Sequence, residues 1–202
     1  MFFFDRVPDM PGAYSVSCNL KDSSVQLVDW LVSRGHKYIG FIKGPETMMP
    51  SQERLNGYLE GLKKNKLAVD NAYIVQTDLD KEKTLAAMKQ LLLLKKRPTA
   101  IIAFNDYVAL DAIKYSRSQG LKINKDIFFV SYANLPMTSY MDEPPLASVE
   151  QFPYEQAEKA AELLIQLINK KESGIIDKKI VMQSKVITHE ALTNKEKTGS
   201  KK

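Results

Sequence analysis

The sequence is poor in the groups that build staples and metal sites: one cysteine, Cys18, and two histidines, His36 and His189, in 202 residues. A lone thiol makes no internal disulfide, and with two histidines it leaves no zinc framework. Long apolar runs are missing as well. The longest, residues 100–104, is five residues, and the four leucines at 91–94 are closed by Lys95, Lys96 and Arg97, far short of the ~20 residues that cross a bilayer. Residues 1–6 put no basic region ahead of their apolar residues and show no small-residue cleavage site, so they do not read as a secretory signal. A cytoplasmic protein without membrane partners is the expectation.

Enzyme signatures are scarce. The nine glycines form neither a G-x-G-x-x-G nor a phosphate-loop pattern. No G-x-S-x-G elbow is present, and His189-Glu190 lacks a second histidine four residues after the first. Asp78-Leu79-Asp80 follows a strand-like run as the aspartate pair of haloacid-dehalogenase-like phosphatases does, but Lys81-Glu82 replaces the expected Gly-Thr. His36, between Gly35 and Lys37, reads as a structural turn residue. The expectation is a protein that is not an enzyme and needs neither cofactor nor metal.

What is present is a globular composition, 44% hydrophobic, 26% charged and 9% aromatic. The net charge of +5 overstates the basic character of the body, because residues 193–202 hold four lysines and one glutamate. That tail is expected to be disordered. The other basic residues lie in short runs such as Lys63-Lys64 and Lys178-Lys179, the pattern of solvated faces rather than of a nucleic-acid surface.

Short β-rich runs at 38–42, 73–76, 99–104 and 127–132 recur every ~30 residues, the size of a βαβ unit. Between the first two, Leu55, Tyr58, Leu59 and Leu62 make one apolar helical stripe. Asp22, Asp80 and Asp106 can each open a helix, and Gly35 and Gly120 can each stop one. A short strand at 146–150, a helix at 154–169 and a last strand at 180–188 follow. The pattern predicts an α/β fold with doubly wound parallel sheets in two lobes. Pro8, Pro11 and Gly12, and Pro144-Pro145, read as crossings between the lobes. Residues 1–18 and 146–170 then form a partial N-terminal lobe, and 19–145 with 171–192 a nearly complete C-terminal lobe.

In open parallel sheets ligands bind beyond the carboxyl ends of the strands. There the sequence places Asp5-Arg6, then Ser51 and Arg54 after Gly44-Pro45, then Leu79, Asn105-Asp106 and Gln151. Carboxylate, amide and guanidinium groups converging from two lobes suit a polyhydroxylated ligand stripped of water.

Four blocks go further. Phe4-Asp5-Arg6-Val7, the run 34–42 with Gly44-Pro45, Ser51-x-x-Arg54-x-x-Gly57-Tyr58, and the run 103–112 resemble the effector-binding portion of LacI/GalR-family bacterial transcription regulators. The run 145–151 is similar as well. The resemblance implies a periplasmic-binding-protein-like type I fold and ligand contacts at Asp5, Arg6, Ser51, Arg54, Asn105, Asp106 and Gln151. It places Leu79 at a packing position. It also implies a homodimer, with Tyr107, Leu110 and Asp111 near the contact, and a small-molecule effector, a sugar or sugar derivative. One departure stands out: the family commonly has an acidic residue after the aromatic closing the fourth strand, and here Ser131-Tyr132 leads to Ala133, which argues against an ordinary hexose. Family members begin with a helix-turn-helix headpiece, so this chain is expected to reach DNA only through a headpiece outside its sequence. A sugar-binding protein of a transport system is the alternative.

Overall fold

The computed structural model describes residues 1–5, 7, 10–169 and 179–189. The expected basic tail, the ends of the C-terminal lobe at 171–178 and 190–192, and Arg6 lie outside the described residues. In chain order the elements are β1 (Phe2–Phe4), β2 (Tyr14–Cys18), α1 (Leu20–Ser33), β3 (Ile39–Lys43), α2 (Met49–Lys64), β4 (Ile74–Gln76) and α3 (Lys81–Leu92). There follow β5 (Ala100–Ala103), α4 (Asp106–Ser118), β6 (Phe128–Tyr132), β7 (Ala147–Glu150), α5 (Pro153–Ile168), β8 (Lys179–Met182) and β9 (Lys185–Thr188).

The regularly spaced apolar runs pair in parallel, as crossover helices between strands require. They form a six-stranded sheet in the order β4-β3-β5-β6-β7-β9, with only β9 antiparallel. Every residue of β5 is buried, because helices cover both faces and leave no solvated side to alternate with. On one face Leu27, Val28 and Leu31 of α1 and Tyr58 and Leu62 of α2 pack on Phe41, Ile102 and Val130. On the other, Met88 and Leu91 of α3 and Ala109 and Ile113 of α4 pack on Ile42, Ile101 and Phe129. Helices α1 and α2 cross closely: a Cβ on Gly57 would stand 2.1 Å from the Lys21 carbonyl oxygen, and one on Gly61 2.7 Å from the Val28 side chain.

A second sheet, β1-β2-β8, is all parallel. Its satellite core joins Val16 to Ala160 and Leu163 of α5, with Phe2, Tyr14, Ile180 and Met182 around them.

Three features depart from the sequence reading. The strand expected at 146–150 in the partial N-terminal lobe pairs instead with β6 and β9 in the six-stranded sheet. The expected strand at 180–188 is two strands, one in each sheet, broken at Gln183-Ser184. Of the prolines taken as crossings, Pro8 lies outside the described residues, and Pro11, Pro144 and Pro145 lie within connections of a single sheet, β1 to β2 and β6 to β7. The chain passes between sheets at Asn19, at Gln151-Phe152 and at Gln183-Ser184, where side-chain hydrogen bonds rather than proline hold the backbone. Asn19 clasps the third crossing: its Oδ1 accepts from the Ser184 amide at 2.8 Å and hydroxyl at 2.9 Å, and its own amide donates to the Met182 carbonyl at 3.0 Å.

Candidate ligand cleft

Parallel strands bring their carboxyl ends to one pole, and there the two sheets meet. Arg54 is the centre of the meeting. It lies one helical turn before Tyr58, whose hydroxyl anchors α2 to the Ile39 carbonyl at 2.8 Å. That anchor aims the arginine across the ends of β5, β6 and β7. Arg54 is 5% exposed. Its Nη1 donates to the Phe104 carbonyl at 2.7 Å and its Nη2 to Gln151 Oε1 at 3.2 Å. The guanidinium carbon sits 4.4 Å from the Phe104 ring centroid and 4.3 Å from that of Tyr132, two cation–π contacts in a desolvated site. Burial pushes the Tyr132 hydroxyl up to about 12 against the opposing pull of Arg54 and of its hydrogen bond with Ser24. The ring beside the guanidinium therefore stays neutral.

Gln151 ties this cluster to the small sheet. Its carbonyl accepts from the Cys18 thiol at 3.0 Å and from Gln156 Nε2 at 2.7 Å. Cys18 is raised to about 11, first by burial and then by the carboxylates of Asp5 and Glu150. Asp5, directly after β1, therefore lies near the Cys18 thiol. Glu150 accepts from the Phe152 amide at 2.7 Å and from Asn134 Nδ2 at 2.9 Å. Ser51, one turn before Arg54, is 3% exposed, and its hydroxyl has no hydrogen-bond partner among the described residues.

The remaining expected residues take different places. Asn105 follows Phe104, and its Oδ1 caps α4 by accepting from the Val108 amide at 2.9 Å. Asp106 is buried, and its carboxylate braces the sheet: Oδ1 accepts from the Ser131 and Ser148 hydroxyls and Oδ2 from the Leu135 amide at 2.7 Å. Leu79, 40% exposed, lies at the same pole but beyond the edge strand β4. The aspartate pair separates in role: Asp78 pairs with Lys83, whose hydrogen bond lowers its carboxyl, and Asp80 caps α3.

Backbone strain marks this pole. Of seven non-glycine residues with positive φ among the described residues, Asp5, Leu79, Ala133, Asn134 and Phe152 all follow the carboxyl ends of strands. Such conformations cost about 1–3 kcal/mol each and persist where the surroundings fix them. Sequence reasoning missed Cys18, Phe104, Tyr132 and Glu150. The aromatic ends of β6 and of the run 99–104 were the available signal for two of them.

The family described as periplasmic binding protein-like domain matches residues 28–189. The HTH-type transcriptional repressor CytR of Escherichia coli K12 is 38% identical over 138 residues, covering 68% of this chain and 40% of the relative. The HTH-type transcriptional repressor PurR of Vibrio atlanticus is 27% identical over 168 residues, covering 83% of this chain and 50% of the relative. Among solved structures, a regulatory protein of the LacI family from Chloroflexus aggregans superposes with a TM-score of 0.84 at 31% identity, over 93% of this chain and 66% of that one. The chain thus spans half or less of these curated relatives' length.

Proposed function

The chain belongs to the periplasmic binding protein-like domain family, and from that premise we propose that its cleft holds a small, uncharged, hydroxyl-rich effector for a transcriptional regulator. The observation that carries the reading is the junction at Gln151. One residue at a crossing receives Arg54 from the large sheet's side and Cys18 from the small sheet. A guest that bridges those groups binds one arrangement of the sheets better than another, and that difference in affinity is what moves a two-state equilibrium. The relatives are named as transcriptional repressors, which favours regulation over transport and over catalysis. Dimerisation through α4, where Tyr107 is 60% exposed, would pass the change to DNA-reading parts of a longer protein.

Charge narrows the guest. Asp5 and Glu150 lie close enough to the Cys18 thiol to raise it. A phosphorylated guest would meet two carboxylates, whereas hydroxyl donors would be welcomed by them.

Thermal-shift screening of neutral sugars, each beside its phosphate ester, is the test, because a ligand bound only by the folded chain raises the midpoint. Neutral members should raise it. A response confined to the esters would sink the reading. With a hit in hand, Ser51→Ala should weaken binding about fivefold, the worth of one hydrogen bond, and leave the unliganded midpoint unchanged or higher because a buried hydroxyl without a partner is removed. Unchanged calorimetric affinity would remove Ser51 from the site.

A further inference from the structure

The opposite pole of the large sheet carries a hollow of about 340 Å³ at the amino ends of β3 and β4. Lys37, Lys66 and Lys96 surround it, with Asp70 the one acidic residue in its lining. None of the three lysines forms an ion pair among the described residues. One wall is aromatic: Tyr38 and Tyr73 stack with centroids 6.2 Å apart, and Tyr38 is 40% exposed. Lys96 Nζ lies 5.8 Å from the Tyr38 ring centroid, and the Tyr73 hydroxyl donates to the Lys96 carbonyl, fixing the lysine's backbone against the wall.

The backbone makes an independent point. Three helices end in the same hydrogen-bonded turn, with the residue after the cap in the left-handed region. After α1 that residue is Gly35 at φ 86°, and after α4 it is Gly120 at φ 80°. After α2 it is Lys66, at φ 56°, with its amide on the Lys63 carbonyl and that of Leu67 on Leu62. Glycine is the favoured residue in this turn because a Cβ is strained there. Of these three turns, the one that places a Cβ in the left-handed region is the one whose side chain lines the pocket.

We propose that this pocket binds a phosphate monoester carried on a planar ring. Three lysines against one aspartate leave a surplus of two positive charges, which a monoester near neutral pH balances. The exposed tyrosine wall supplies an apolar surface for the ring. The site lies at the far pole from the cleft and does not depend on what the cleft binds.

Titration of the chain with phenyl phosphate, followed by backbone amide chemical shifts, tests it. Saturable shifts at residues 37–39, 66–70 and 73, weakening as salt is added, are expected. Shifts that do not saturate, or that fall at 104–105 and 151 in the cleft, overturn the proposal. Inorganic phosphate and phenol at equal concentration should each bind at least fivefold more weakly; phosphate binding as tightly as the ester would mean that the ring has no place, and would overturn it too. Lys66→Gly separates ligand from fold. Relief of the left-handed strain should raise the melting midpoint by about 2–4 °C, while loss of one charge contact weakens phenyl phosphate binding about fivefold. A raised midpoint with undiminished binding would take the lysine out of the site and the proposal with it.

Discussion

The six-stranded sheet and the three-stranded sheet are built on different principles. The first is sealed on both faces, with Phe41, Ile101, Ile102 and Phe129 fully buried between two helical layers. The second is covered by α5 on one face, while Val181 on its edge strand is 57% exposed and Ile165 and Ile168 of α5 are 56% and 72% exposed. At roughly 25 cal/mol per Å² of apolar surface removed from water, the stability of the molecule therefore resides in the large sheet. The small sheet is held by a satellite core and by the polar contacts at the crossings.

The largest blow to the rigid side is Gly57→Ala. Its Cβ would stand 2.1 Å from the Lys21 carbonyl oxygen and 2.5 Å from Ser24 Cβ, so α1 and α2 must separate, at a cost of about 3 kcal/mol. Chemical denaturation should show the loss in the main transition. An unchanged midpoint would mean that the two helices are not closely locked.

Leu163→Ala in α5 should cost about 2 kcal/mol, the low end for such truncations, because its partly buried neighbours can close in. Hydrogen exchange should then speed up in β1, β2 and α5 while β3, β5 and β6 keep their protection. Equal acceleration in both sheets would erase the contrast between them.

The smallest effect is that of acid on the large sheet. Burial, helped by Arg34, lowers His36 below its ordinary value of 6.5, and its ring edge packs on Phe128 with centroids 4.6 Å apart. A base whose folded value is depressed adds no penalty above its unfolded value and destabilises as pH falls through it. Stability should therefore be full above about pH 6.5 and decline below it, with the decline reduced in His36→Gln. Equal acid slopes for the two proteins would assign the loss to other groups.

Much of the large sheet was legible because its strands are continuous apolar runs at even spacing, and the helices declare themselves by caps such as Asp80 and stops such as Gly120. The small sheet was not. In Tyr14–Cys18, serines at alternate positions dilute the apolar signal, and Ser15 is nonetheless 3% exposed. The split between β8 and β9 has no proline or glycine to announce it; an asparagine 165 residues away makes the bonds that hold it. In the cleft, Arg54 and Gln151 could be named from their positions after strands. The bracing of Asp106 could not, since its partners Ser131 and Ser148 lie 25 and 42 residues away and meet only when β6 and β7 pair.

The clasp at Asn19 limits what the two bodies can do. A single residue in the first passage grips the backbone of the third on both sides of its break, through Met182 and Ser184. Two threads knotted at one point can twist about it but cannot glide past each other. The first and third passages are thus fastened to each other, and the second is tied in beside them where the Gln151 carbonyl accepts from Cys18 and Gln156.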